Sequence, residues 1–253
     1  MNRRISAPRR GDLRGLLIAC GVIGSWAVLL LIGLATPVTG LLDLVWVVPA
    51  VAVLTLLYTG LFITAHDAMH GSLLPGRPAV GHAIGTVCAF VYAFMSYEQL
   101  RVEHLRHHAS PGQAGADPDF HDGKHPGLIR WFVHFMVSYV TIRQVVLLVL
   151  AFVSLLLLAQ VPWPNVLLFW ALPSLASTLQ LFIVGTWWPH HARPGEPMGE
   201  HHSRSLNLPT IVSFLACFHF GYHHEHHEQP ELPWWRLPAA YRAGRLSTPP
   251  PPA

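Results

Sequence analysis

Charge is what this chain has least of. Asp, Glu, Lys and Arg together make up 11% of its 253 residues, where a soluble domain carries about a quarter. With 52% hydrophobic residues and a mean hydropathy of +0.39, the composition excludes an ordinary soluble protein and points to an integral membrane one. The net charge of +3 is too small to mark a nucleic-acid surface, so no nucleic-acid partner is expected. Cysteine is almost as scarce. Cys20, Cys88 and Cys217 each sit in an apolar run, far apart, which excludes a disulfide framework and a cysteine-based metal site. Internal repeats are absent too. The apolar run that begins near Leu13 is too long for a signal-peptide core and is read as a retained transmembrane helix.

Long apolar runs are abundant. Crossing the hydrocarbon takes about 20 residues of helix, and four segments qualify: about 14–35, 44–64, 143–161 and 164–188. A further stretch, 79–97, is long enough but contains His82 and two glycines, and 207–218 is too short. The basic residues choose between topologies. Arg3, Arg4, Arg9, Arg10 and Arg14 precede the first span; Arg77, Arg101, Arg106, Lys124 and Arg130 lie between the second and third; the rest follow at or after the inner ends. With four spans, all sixteen Lys and Arg residues face one side, and none falls in the turns at Thr36–Asp43 or Pro162–Pro164. A crossing at 79–97 would reverse the later basic loops. The expectation is therefore a single all-α membrane domain over 1–253: four transmembrane helices, 79–97 interfacial or re-entrant, both termini cytoplasmic, a cytoplasmic histidine-rich cap, and a disordered proline-rich tail at 246–253.

Histidine is the excess. Its 18 residues outnumber Lys plus Arg, and the expected topology puts nearly all of them on one side. Positions i, i+3 and i+4 of a helix share a face, which groups His66 with His70, His104 with His107 and His108, and His223 with His226 and His227. A lone His-x-x-x-His is commonplace on a helix, and a lone His-x-x-His-His is a stronger sign of a ligand set. All three on one face of a membrane protein point to a metal centre. A ninth donor is His190 or, one turn before His223, His219. Zinc usually takes four ligands, so this number fits two ions, and imidazole alone does not choose among Fe, Cu, Zn and Ni. Metal-bound histidines usually give their second N–H to a carboxylate or carbonyl; Asp67, Asp117, Asp119 and Glu225 are interleaved for that role, with His219 as a further support. His82, His125, His134, His201 and His202 are read as surface or interfacial residues, His191 and His224 as bystanders, and His121 stays ambiguous.

These motifs carry a resemblance. The stretches Phe62-Ile-Thr-Ala-His-Asp-Ala-Met-His-Gly71, His104-Leu-Arg-His-His108 with Asp117-Pro-Asp-Phe-His121, Trp188-Pro-His190, and Phe218-His-Phe-Gly-Tyr-His-His-Glu-His-His-Glu228 with Pro233-Trp-Trp-Arg-Leu-Pro238 resemble the membrane fatty-acid desaturase and hydroxylase superfamily. More narrowly, over about 55–238, they are similar to the bacterial β-carotene ketolases. The resemblance implies a desaturase-like fold and two non-haem irons, held by His66, His70, His104, His107, His108, His223, His226 and His227 with His190 as the ninth. It implies O2 as co-substrate, a ferredoxin-type electron donor, and a bacterial inner-membrane location. The implied reaction turns the C4 methylene of a β-ionone ring into a ketone by two hydroxylations and loss of water. β-Carotene would give echinenone and canthaxanthin, and hydroxylated carotenoids would lead toward astaxanthin. A fatty-acid desaturase or carotenoid 3-hydroxylase is the alternative within the superfamily. A histidine-rich metal transporter is the alternative outside it, although transporter ligands lie near the bilayer midplane. Phe62, Phe90, Phe94, Tyr97, Phe218, Phe220 and Tyr222 are candidates for a substrate slot, and Trp234 and Trp235 for interface anchors.

Overall fold

A helix of 26 residues, α2 (Leu44–Met69), organises the structure. At about 1.5 Å per residue it is roughly 39 Å long, more than the ~30 Å of hydrocarbon. It therefore carries its final turn, with His66 and Asp67, past the apolar stretch. The computed structural model describes Ser6 and residues 12–247 apart from 193, 194, 196, 197 and 200. The expected basic residues Arg3, Arg4, Arg9, Arg10 and Arg193 lie outside the described residues.

Before α2 come α1 (Arg14–Ala35) and a turn in which the Asp43 carboxylate accepts the backbone N–H groups of Thr39 and Gly40. After α2, α3 (Pro78–Ala93) ends at Phe94, whose left-handed backbone (φ 54°) turns the chain by 101° into α4 (Tyr97–Ala109). Ser96 caps α4 by accepting the Gln99 N–H. A second bend, of 91°, separates α5 (Leu128–Tyr139) from α6 (Ile142–Leu157). The long α7 (Trp163–His190) follows, interrupted by π-helical turns at Val166–Ala171 and Phe182–Trp187. Short helices α8 (Thr210–Cys217), α9 (His223–Glu228) and α10 (Leu237–Ser247) complete the chain.

Among the described residues three helices are long and apolar enough to cross a membrane, 14–35, 41–69 and 163–190, or up to five if each bent pair is one span. The difference from four straight spans lies in 143–161. There the helix stops at Leu157, because Gln160 takes a positive φ of 55° before Pro162. Of the expected tail, α10 takes in the chain through Ser247, and 248–253 lie outside the described residues.

Polar contacts between the helices are few. The Asn165 amide donates to the carbonyls of Gly33 and Thr36, both at 2.7 Å, and so caps α1 from the start of α7. Phe169 closes on Gly33, where a Cβ would come within 2.4 Å of its ring. Midway along α2, Thr59 meets Ser177 at 2.9 Å and donates to Gln180 at 2.7 Å, and Gln180 donates in turn to the Leu215 and Ala216 carbonyls of α8. Tyr92 of α3 meets Thr178 at 2.9 Å. These contacts hold α2 and α7 in parallel, so His66 and His190 arrive at the same end.

Candidate metal centre

Nine imidazoles converge at that end in two groups. His66, His70, His104, His108 and His226 form one; His107, His190, His223 and His227 form the other. Within each group the ligand atoms lie within 4.8 Å of one another. The separation follows from helical spacing. On α4, His104 and His108 face the first group while His107 turns to the second; on α9, His226 serves the first and His223 and His227 the second. Every element that carries a histidine motif contributes to the same small volume.

The nitrogens approach through Nε2. His70 meets His104 at 2.7 Å, His226 meets both His66 (3.1 Å) and His108 (2.9 Å), His223 meets both His190 (2.9 Å) and His227 (3.1 Å), and His107 meets His227 (3.1 Å). Two facing ring nitrogens share one proton at most, and the Nε2 of His226, of His223 and of His227 each face two neighbours. A cation resolves the conflict, because all lone pairs then aim at one point. Ligands about 2.1 Å from a metal stand about 3 Å apart at adjacent octahedral positions, which matches the observed separations. Burial, then the neighbouring histidines, drive His223, His226 and His227 well below the ordinary histidine range, and His70 is lowered to about 4. These four rings are thus held neutral, the form that binds metals, whereas at His107 burial is outweighed by Asp119 and Asp117, which raise it. The donor set fits two metal ions.

Three of the second nitrogens are tethered, whereas Nδ1 of His223 and His227 is buried without a partner among the described residues. His107 Nδ1–H donates to Asp117 at 2.8 Å, His66 Nδ1–H faces Asp67 at 3.3 Å, and His190 Nδ1–H donates to the His202 carbonyl at 2.8 Å. Burial raises the Asp117 carboxyl, but His107 and the Gly112 and Asp119 amides outweigh it and hold Asp117 below the usual range. Asp67 is shared: its other oxygen accepts the Trp234 N–H at 3.0 Å.

Comparison with known proteins follows the same residues. A profile of the fatty acid desaturase family matches residues 44–143 and 138–249. A β-carotene ketolase from a Paracoccus species is 40% identical over 238 residues, covering 90% of this chain and 93% of its own. The chain belongs to the fatty acid desaturase family, among the β-carotene ketolases. Similarity extends to a β-carotene ketolase of Haematococcus lacustris, 36% identical over 93% of this chain and 81% of its own, and to a zeaxanthin 4-ketolase of Chlamydomonas reinhardtii, 40% identical over 94% of this chain and 55% of its own.

In this ketolase-family chain a cavity of about 170 Å³ ends on the histidines. His66, His104, His107 and His223, drawn from both groups, form one wall, and Phe62, Met69, Leu100, Leu148, Leu181 and Phe220 give the rest an apolar surface. Of the aromatic candidates for a slot, Phe62 and Phe220 line the cavity. Phe90 is 47% exposed on the outer surface, and Phe218 packs on Trp234.

Not every expected support reaches the centre. His219 belongs to neither group: its backbone turns through φ 63° and lays the ring beside Trp234 and Tyr222. Glu225 points away from the cage to the Ser205 hydroxyl. Asp119 lies 4.0 Å from His107 Nδ1 and accepts from the Tyr139 hydroxyl, while its backbone carbonyl takes the Trp131 indole N–H. Burial raises the Asp119 carboxyl. His202, expected in solvent, is half-buried with its ring on Phe120 and its carbonyl under His190. Trp234 also turns inward, against Phe214 and Phe218, and is no simple interface anchor. His121 accepts the Gly123 N–H, His224 faces Glu228, and His191 stacks on Trp187, all outside the two groups. Tyr139 and Ser205 are the contacts that spacing in the sequence does not reveal.

Proposed function

We propose that this protein is a membrane β-carotene 4-ketolase that oxidises the C4 methylene of a β-ionone ring to a ketone. The observation that carries the reading is the cavity wall. An apolar slot for a hydrocarbon ends on histidines from both groups, so a ring seated there presents its edge to both metal positions at once. Each hydroxylation consumes one O2, two electrons and two protons and yields water; loss of water from the twice-hydroxylated carbon leaves the ketone.

The nine histidines would hold two irons, which supply O2 activation when bound. The protein's own residues do the rest. Asp117, Asp67 and the His202 carbonyl fix the ring planes of His107, His66 and His190. Phe62 and Phe220 pack the ring and exclude water, which limits attack to the carbon held at the wall. Electrons come from a ferredoxin-type donor. The arginine and lysine asymmetry supports four crossings, with the histidines, both termini and the donor on the cytoplasmic side of a bacterial inner membrane.

The test is expression in a β-carotene-accumulating host with analysis of pigments and of iron in the purified protein. Echinenone and canthaxanthin are expected, with two irons per chain. Zeaxanthin or altered acyl chains would assign a 3-hydroxylase or a desaturase, and retained ketone formation in His107→Ala or His226→Ala would end the di-iron assignment.

A further inference from the structure

Thr186 is the anomaly among the helical threonines. Thr55, Thr64, Thr86 and Thr178 each give their hydroxyl to the carbonyl four residues back, at 2.7 to 2.9 Å, and Thr59 gives its own to Gln180. Thr186 lies in the π-helical stretch Phe182–Trp187, where that pairing is reset. Its hydroxyl finds no protein partner among the described residues, although the residue is only 6% exposed. It lines the cavity instead. The other hydroxyls of this lining are satisfied: Tyr92 by Thr178, Thr178 by the Ser174 carbonyl, Ser174 by the Ala171 carbonyl, and Tyr139 by Asp119.

The position of Thr186 is also specific. It precedes His190 by one turn and adjoins Gly185, where a Cβ would meet the Phe220 ring at 2.7 Å. Phe220 in turn lies 4.7 Å from the His66 ring and 5.0 Å from the His223 ring. Thr186 therefore belongs to the histidine end of the cavity. In any ring oxidised at C4, that end must also hold C3, one bond away. A hydroxyl on C3 would enter a largely apolar pocket and would lose its water there. Thr186 offers such a hydroxyl both a donor and an acceptor.

We propose that Thr186 is the specificity-determining residue that admits β-rings carrying a 3-hydroxyl group, as in zeaxanthin, beside unsubstituted rings. The proposal rests on the ketolase reading and names the residue that distinguishes the two kinds of ring. Gln144, the other buried polar side chain of the lining whose amide has no partner among the described residues, is the rival for the role.

The experiment compares wild type, Thr186→Val, Thr186→Ser and Gln144→Leu in two ways. Competition between β-carotene and zeaxanthin gives the ratio of the two kcat/KM values. Quenching of tryptophan fluorescence in nanodiscs gives Kd for each carotenoid without turnover. Thr186→Val, which keeps shape and removes the hydroxyl, is expected to lower the zeaxanthin to β-carotene ratio about 10-fold and to raise Kd for zeaxanthin by a similar factor. Thr186→Ser is expected to restore both. The proposal is overturned if both substrates change in parallel, if Gln144→Leu alone moves the ratio, or if Thr186→Val releases a 4-hydroxylated ring from β-carotene. Should wild type form no ketone from either carotenoid, the ketolase reading fails, and the two Kd values alone decide the role of Thr186.

Discussion

His107 stands between a carboxylate and a metal position: its Nδ1–H donates to Asp117 at 2.8 Å while its Nε2 faces His227 Nε2 at 3.1 Å. Asp117 accepts the Gly112 and Asp119 amides as well, so the loop 110–119 is folded around the anion that orients this ring. Replacing it by Asn keeps the shape and removes the charge. Asp117→Asn is expected to weaken iron retention or ketone formation by about 10- to 100-fold, as measured by iron titration and pigment analysis on the same preparation.

His190 and His219 separate by position. His190→Ala removes a donor from the second group and is expected to lower iron content toward one ion per chain. His219→Ala, outside both groups, is expected to keep two. Metal analysis of the purified variants checks this; equal loss in both would place His219 back at the centre.

Stability of the iron-free protein should depend on pH. His70 and His219 are each lowered to about 4 by burial, against about 6.5 when unfolded. The unfolded chain therefore takes up protons first as pH falls. Stability is full above about 6.5 and declines from there down to about 4. A Tm series on apo protein in detergent between these limits should fall monotonically, and a flat series would contradict the burial of these rings.

The Asn165 amide ties the start of α7 to the end of α1 without touching the histidines. Asn165→Ala leaves the buried Gly33 carbonyl without this donor and removes a second, partly buried bond to Thr36, and is expected to cost about 1–3 kcal/mol. Thermal unfolding of the solubilised protein should show the loss, with the iron-to-protein ratio unchanged in the folded fraction.

A reporter fused at Gly112 tests the topology. Cytoplasmic activity is expected, since only a crossing by α3 would place that loop outside. Periplasmic activity would require the bent pair α3–α4 to count as a span.

Much of this was legible in the sequence because helices repeat. The spacing of His104, His107 and His108, or of His223, His226 and His227, specifies faces before any fold is known. What spacing could not show was that each triplet would be split between two groups, since this depends on which neighbours flank each helix. Nor could hydropathy locate the bends at Phe94 and Val140, where apolar side chains run straight through while the backbone turns. His219 illustrates the same limit. A positive φ beside α8 redirects its ring, and nothing in the residue types around it announces that conformation. The contact between Tyr139 and Asp119 joins residues in separate elements and leaves no periodic trace.

The bond from the Trp234 N–H to Asp67 spans 167 positions of the chain. His66, beside Asp67, is made early in synthesis, whereas the α9 histidines and Trp234 are among the last residues to emerge. Neither histidine group can close on a nascent chain that stops short of α9. Each group can accordingly be completed only after α9 has been made, and a truncated product would leave the ribosome without either set of donors assembled.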